Sequence, residues 1–370
     1  MLILATAAFA LWIVVLVAPW APWLCRERLE AGPAPSPGAP DFTVLIPARN
    51  EASVIGETLR ALSVAAPDAP VIVIDDESSD ATAAIARASG LSRLDVIAGT
   101  PPPSGWTGKL WALQQGLEHV ETARVLLLDA DIRLAPGMPG SLQRKADRGF
   151  ALVSVCAEPC WKNAAARWLL PAFVHFFKLL YPFALANRQG SRIAAAAGGV
   201  ILIERKALAD AGGFAAWRSA IIDDCTLARH VKRAGHRCWI GLSHGAVSLR
   251  RSNLGDIAHM VARTAFVQLR ESVLLTVAAS GLLILAFWIP VLALAFGPDP
   301  GTRAVGLLAW LAMAVCYLPT LMYYRRNPLT ALLLPLTATF FLSATWYSAW
   351  RALAGTRSVW KGRRYQRGEG

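Results

Sequence analysis

The sequence predicts an α/β domain with a mostly parallel sheet, set between apolar helices long enough to cross a membrane. Three observations lead there. Charge is missing from four long runs, Met1–Leu24, Val273–Pro298, Ala304–Tyr324 and Asn327–Trp350. Between the first and second run, short apolar stretches alternate with segments of helical periodicity. The apolar stretches end on acidic or polar residues, where open parallel sheets place their ligands.

Each element has its own warrant. The charge-free runs are close to the roughly 20 residues that span a bilayer core, and backbone in lipid satisfies its own polar groups as helix. Trp20, Trp23, Trp288, Trp310, Trp346 and Trp350 fall near the ends or shoulders of those runs, as an interfacial belt requires. The first run has no basic segment before it and no small-x-small site before Cys25, so it is expected to stay as an anchor over residues 1–25. Residues 26–40 include AGPAPSPGAP, a semi-rigid Pro-rich linker. Thr43–Ile46 is the first strand, Ala52–Val64 the first helix, Val71–Ile74 the second strand. Ser79 and Asp80 cap a helix running to Ala88. Leu94–Ala98 is the third strand, Lys109–Glu118 a helix, and Val125–Leu128 the fourth strand. Gly212-Gly213 is expected to end a helix that starts near Glu204, and Asp223-Asp224 to open another.

Composition narrows the classes. Apolar residues make up 55% and charged residues 17%, against about 45–50% and about 25% in soluble domains. The net charge is nevertheless +12. A chain both apolar and basic points to an anionic membrane surface rather than to nucleic acid. The six cysteines form no CxxC pair and are expected to be free thiols. There is no GxGxxG, P-loop, HExxH or GxSxG pattern, and Asp129-x-Asp131 lacks the glycine and glutamate of a calcium loop.

The chemistry sits past the strand ends. They carry Pro47-Ala48-Arg49-Asn50-Glu51, then Asp75-Asp76-Glu77, then Asp129-Ala130-Asp131. Carboxylates crowded in this way repel one another, and a divalent metal with hard oxygen ligands, Mg²⁺ or Mn²⁺, is the natural compensation. Lys109 is a point charge suited to phosphates. Gly198-Gly199 permits close backbone approach.

These motifs resemble those of family-two glycosyltransferases with the GT-A fold, a Rossmann-like arrangement. The resemblance covers about residues 41–270 and rests on PARNE, VIDDESSDAT, GWTGKLWALQQG, LLLDADI, AAAGGVILIERKAL, AGGF and IIDDCTLARHVKRAGHRCW. It implies that Ala48, Glu51, Asp75 and Asp76 hold the nucleotide base and ribose, that Asp129 lies by the ribose, and that Asp131 ligates the metal. It also implies that Asp224 is the general base. The family usually has Glu-Asp where this chain has Asp223-Asp224. One base without a covalent nucleophile implies inversion at the anomeric carbon.

The Gln/Arg-x-x-Arg-Trp motif of processive synthases is absent; Arg263 and Arg270 are its nearest counterparts. A single sugar transfer from a nucleotide-diphospho-sugar is therefore expected. Trp161–Leu185 scatters Arg167, His175 and Lys178 among large apolar residues, as an interfacial amphipathic segment does. The acceptor is accordingly expected to be a membrane lipid. The N-terminal run, GWTGKLWAL and VWKGRRY are most similar to bacterial glycosyltransferases associated with hopanoid biosynthesis, which implies a hopanoid acceptor. Another isoprenoid, a polyprenyl phosphate or a ceramide-like lipid is the alternative, and a non-catalytic membrane scaffold the rival of a different class. Lys/Arg bias after the first run places the catalytic domain in the cytoplasm, in a multi-pass protein of the bacterial inner membrane. The expected order is anchor 1–25, linker 26–40, catalytic domain 41–270, helical bundle 271–350 with two to three crossings, and basic tail 351–370. A third full crossing would carry that tail to the opposite side.

Overall fold

The computed structural model describes residues 1–33 and 40–354, and the backbone of 359–360 and 363–364. Most of the expected linker's Pro-rich stretch and most of the basic tail lie outside the described residues. The chain divides into two compact units. One comprises residues 27–160, 185–250 and 359–370; the other comprises residues 1–26, 161–184 and 251–358. Residues 161–184 and 251–270 thus group with the apolar helices, although the linear expectation placed them in the catalytic domain.

The first unit is a sheet covered by helices. In chain order it contains β1 (Phe42–Ala48), α2 (Ile55–Ala65), β2 (Val71–Asp75), α3 (Thr82–Arg87), β3 (Leu94–Ala98), α4 (Gly108–Leu117) and β4 (Arg124–Leu128); the label α1 belongs to the N-terminal helix Leu2–Val17 of the other unit. Then come β5 (Ile132–Leu134), α5 (Met138–Ala146) and β6 (Leu152–Glu158). The other unit interposes α6 (Ala164–Leu180), and α7 (Phe183–Ala186) spans the return. β7 (Val200–Glu204), α8 (Arg205–Asp210), α9 (Asp223–Arg233) and β8 (Cys238–Ser248) complete it.

The strand order is β3-β2-β1-β4-β7-β6-β8-β5. β3, β2, β1 and β4 run parallel, β7 is antiparallel to both β4 and β6, and β5 is antiparallel to β8. All seven residues of β1 are buried, as a central strand packed on both faces requires. One face carries Val44, Ile46, Leu126 and Val155; the other carries Leu45, Ile74, Leu127 and Ile203. Reversal at β7 has a positional effect. It brings the start of β7, at Gly198-Gly199, beside the end of β4: the Asp129 amide donates to Gly199 O at 3.0 Å.

In the helical unit, α10 (Leu254–Gln268) precedes α11 (Val273–Leu283), a π-turn over Ile284–Trp288, α12 (Ile289–Phe296), α13 (Pro300–Tyr323), a 3₁₀ turn over Pro328–Leu333, and α14 (Leu334–Leu353). Three stretches, Val273–Phe296, Pro300–Tyr323 and Pro328–Leu353, are long and apolar enough to cross a membrane. The N-terminal expectation is corrected in length. α1 has 16 residues and stops before Pro19. At 1.5 Å per residue it reaches only about 24 Å, short of a roughly 30 Å bilayer core. The interfacial reading of Trp161–Leu185 is also corrected. α6 packs on α10, α13 and α14, and His175 and Lys178 are buried instead of turned to headgroups. Lys178 Nζ donates to the Trp23 and Leu24 carbonyls at 3.3 Å, so chain from the N-terminal segment solvates its charge.

Candidate active site

The expected site residues gather at the carboxyl ends of β1, β2 and β4, in three adjoining groups. The first is built on the ends of β1 and β2. Ala48 is buried, and its carbonyl accepts from the Asp76 amide at 2.8 Å. Asp75 ends β2, where Oδ1 accepts from the Ser78 amide at 3.3 Å. Asp76 is fully buried and pairs with Arg49 at 3.9 Å. Arg49 also donates to the Asp76 carbonyl. Asn50 Oδ1 accepts from the Ser79 amide at 2.8 Å, and the Asn50 amide donates to Ser78 Oγ at 3.0 Å. The two loops are therefore cross-braced. Asn50 and Glu77 both adopt left-handed backbone, with φ of +52° and +53°. Such non-glycine residues persist only where their surroundings over-determine them.

The second group is a charge cluster of one lysine and three aspartates. Lys109, in the first turn of α4, lies 2.9 Å from Asp129 and 3.4 Å from Asp223. Asp224, in the first turn of α9, accepts from the Gly198 amide at 2.8 Å through Oδ2 and from the Cys225 amide at 2.7 Å through Oδ1. The Gly198 segment is itself fixed by Ser154, whose Oγ accepts from Ala197 N at 2.8 Å and donates to Ala197 O at 3.1 Å. A side chain at Gly198 would start 3.3 Å from Asp224 Oδ2 and 3.4 Å from Lys109 Nζ. That approach is what glycine provides here. The cluster lines a pocket floored by Leu110, Leu127 and Ile201 and flanked by Phe214 and Trp217.

The electrostatics follow from burial and from three acids sharing one cation. Burial, then the neighbouring Asp223 charge, pushes Asp224 up from 3.8 to about 6, against the amides and Lys109, which lower it. Burial also raises Asp129, with Asp131 and Asp223 adding to the shift and Lys109 opposing it. Burial works against the charge on Lys109, but Asp129 and Asp223 outweigh it, so this lysine holds its proton more tightly than an ordinary one.

The third group joins Glu51 to Asp131. Both carboxylates are nearly buried. Asp131 Oδ2 accepts from Ser248 Oγ at 2.8 Å, and Arg250, just past β8, reaches Asp131 at 3.4 Å and Glu51 at 3.1 Å. Arg250 is the residue that sequence reasoning missed; Arg263 and Arg270 fall in the helical unit. Its only signal is the basic pair Arg250-Arg251 before a capped helix.

Asp131 fits a divalent cation. Among the described residues, no group of three His, Cys, Asp or Glu side chains is placed to hold a metal ion by itself. A single hard carboxylate instead matches ions shared between one or two acids and a ligand's phosphates. Asp131 and Glu51 already share a positive charge, the Arg250 guanidinium. Gly199, unlike Gly198, faces Ile132 and lies away from the carboxylates.

Comparison with known proteins gives the family and the fold. Residues 39–263, more than half of the chain, match the model described as glycosyltransferase like family 2. Over 91 residues the chain is 40% identical to the 4,4'-diaponeurosporenoate glycosyltransferase of Staphylococcus aureus (strain USA300). That match covers 25% of this chain and 24% of the relative, so the chain spans about a quarter of the length of the curated relatives it matches. The solved mannosyltransferase PcManGT from Pyrobaculum calidifontis, in complex with GDP-Man and Mn²⁺, is similar over 95% of this chain and 99% of its own, with a TM-score of 0.59 and 19% identity. At that identity the likeness is one of fold. Strand order and the family match converge, and the chain belongs to glycosyltransferase family 2, with its sheet unit on the GT-A fold.

Proposed function

We propose that this protein transfers one sugar from a nucleoside-diphospho-sugar to a membrane lipid of isoprenoid type, with inversion, and that a hopanoid is the acceptor. The observation that carries the reading is the Asp224 carboxylate. Two backbone amides aim it, and its pKa of about 6 suits a base at neutral pH.

In this reading Ala48, Glu51, Asp75 and Asp76 bind base and ribose, and the braced loops hold them ready. Asp129 lies by the ribose. Gly198 leaves room for the sugar. Lys109 meets the diphosphate as negative charge develops on it. A divalent ion on Asp131 supplies further stabilisation of that leaving group. Asp224 Oδ2 takes the acceptor's hydroxyl proton as its oxygen attacks the anomeric carbon from the face opposite the leaving diphosphate. Asp223 keeps Lys109 and Asp224 in register. Three apolar helices and the lipid-like acceptor in the relative's name support a membrane-bound acceptor. The basic residues after the first apolar run support a cytoplasmic catalytic unit in the bacterial inner membrane.

The relative's name favours one second reading, a carboxylate acceptor. A carboxylate is already deprotonated at neutral pH, so its glycosylation needs no base. The experiment incubates purified protein and Mn²⁺ with labelled nucleotide sugars and four acceptors: a hopanoid alcohol, a carotenoid carboxylic acid, a polyprenyl phosphate and a ceramide. On the hopanoid alcohol, Asp224→Asn is expected to lose about 10²–10⁴-fold in rate while nucleotide binding stays. Retention of full activity by Asp224→Asn on an acid acceptor establishes the second reading. Full activity on an alcohol overturns the role of Asp224, and transfer to none of the four overturns the lipid reading.

A further inference from the structure

We infer that Arg250 is a built-in counter-ion of the divalent site: its guanidinium holds Asp131 and Glu51 in the absence of a cation, and a divalent ion gains Asp131 only by displacing it. The inference rests on the reading of Asp131 as the cation ligand.

Three features carry it. The guanidinium bridges two nearly buried carboxylates from different parts of the sheet, Glu51 after β1 and Asp131 after β4, at 3.1 and 3.4 Å. Burial makes both negative charges costly, and the guanidinium offsets part of that cost. Second, the arginine side chain is half exposed, at 48%, although its partners are nearly buried, at 11% and 10%. That exposure leaves it free to swing away without unpacking the core. Third, Asp131 keeps a second partner, since Ser248 Oγ donates to the same Oδ2. The carboxylate therefore stays oriented when the guanidinium leaves.

A cation already in the site competes with any that arrives, so free divalent ion should bind poorly on its own. Arriving with a nucleoside diphosphate, the ion brings phosphate oxygens as further ligands, and its gain then exceeds the lost ion pairs. Arg250 thus couples metal binding to donor binding and is a positioning residue.

The test measures Mn²⁺ alone, without nucleotide, by the loss of free-ion electron paramagnetic resonance signal on titration into the full-length protein. Arg250→Gln is expected to bind Mn²⁺ at least about tenfold more tightly than wild type, a difference of about 1.4 kcal/mol. Arg250→Lys, which keeps the charge, is expected to stay near wild type. Unchanged or weaker Mn²⁺ binding in folded Arg250→Gln overturns the inference, because a mere strut would loosen the site when removed. If Arg250→Gln does not fold, Arg250→Lys decides through its salt response. Raising ionic strength should shift its Mn²⁺ affinity as it shifts wild type, and a flat response refutes the competition. Asp131→Asn separates the two ideas: if it leaves Mn²⁺ binding intact, the ion does not sit on Asp131, and it is the metal assignment that fails.

Discussion

Replacing Lys109 with Met and Asp223 with Asn should move the pH dependence of transfer in opposite directions. Asp224 titrates at about 6, so wild-type kcat/KM should fall with unit slope as pH drops through that value and the base takes up a proton. Lys109 lowers this pKa and Asp223 raises it. Lys109 Nζ and Asp224 Oδ2 both approach the same point above Gly198, which puts them no more than about 7 Å apart. Across that distance one unit charge is worth about 0.6–2.4 kcal/mol for an effective dielectric between about 80 and 20, or roughly 0.4–1.7 pKa units. In Lys109→Met the acid limb is therefore expected about one unit higher, near neutrality. In Asp223→Asn it should fall by a similar amount. Initial rates with an alcohol acceptor between about pH 5 and 8.5 read the midpoint, which is insensitive to the lower absolute rate of either variant. A midpoint that stays put in both variants, or moves the same way in both, would falsify Asp224 as the titrating base.

Other substitutions probe the supports of the cluster. Gly198→Ala places a methyl group 3.3 Å from Asp224 Oδ2 and 3.4 Å from Lys109 Nζ, and should cut kcat about 10–100-fold at unchanged melting temperature; an active variant would mean that the donor lies elsewhere. Ser154→Ala removes a buried hydroxyl and strips the half-buried Ala197 amide of its partner, so thermal unfolding should show a loss of about 1 kcal/mol together with a lower kcat. Gly116→Ala sets a carbon 2.6 Å from Ile74 Cδ1 in the face of α4 that packs on β2. Despite the better helix propensity of alanine, calorimetry should register a net loss of about 1–2 kcal/mol, with donor binding unaffected.

How far the sequence carries depends on local stop signals. β1, β2 and β4 were legible to within two residues because each apolar run halts at a proline or aspartate that also begins the site. β7 has the same kind of apolar run, Val200–Ile203, but nothing in it encodes direction. Its antiparallel setting comes from a chain path that leaves for α6 and returns. The four residues of the charge cluster, and Gly198 beside them, were readable one at a time. Their convergence was not, because Lys109, Gly198 and Asp223 meet only through sheet order. Arg250 escaped for the same reason: its partner Asp131 is 119 positions away, and a basic pair before a helix carries no spacing that points there. α6 misled because Lys178 is solvated by the Trp23 and Leu24 carbonyls and by Cys25 Sγ, more than 150 positions away, which composition cannot reveal.

The left-handed Asn50 and Glu77 bear on how this enzyme would respond to selection. Each stores roughly 1 kcal/mol of backbone strain, and both lie in the braced loops proposed to receive the nucleotide. Glycine at Glu77 would relieve that strain and soften the loop, so the enzyme would melt later and hold its donor less firmly; at Asn50 the same change would also strip the Ser79 amide of its acceptor and cancel the gain. A screen for thermal endurance alone would therefore collect variants at Glu77 and drift toward poorer catalysts, and a dual screen that also scores turnover would leave it untouched.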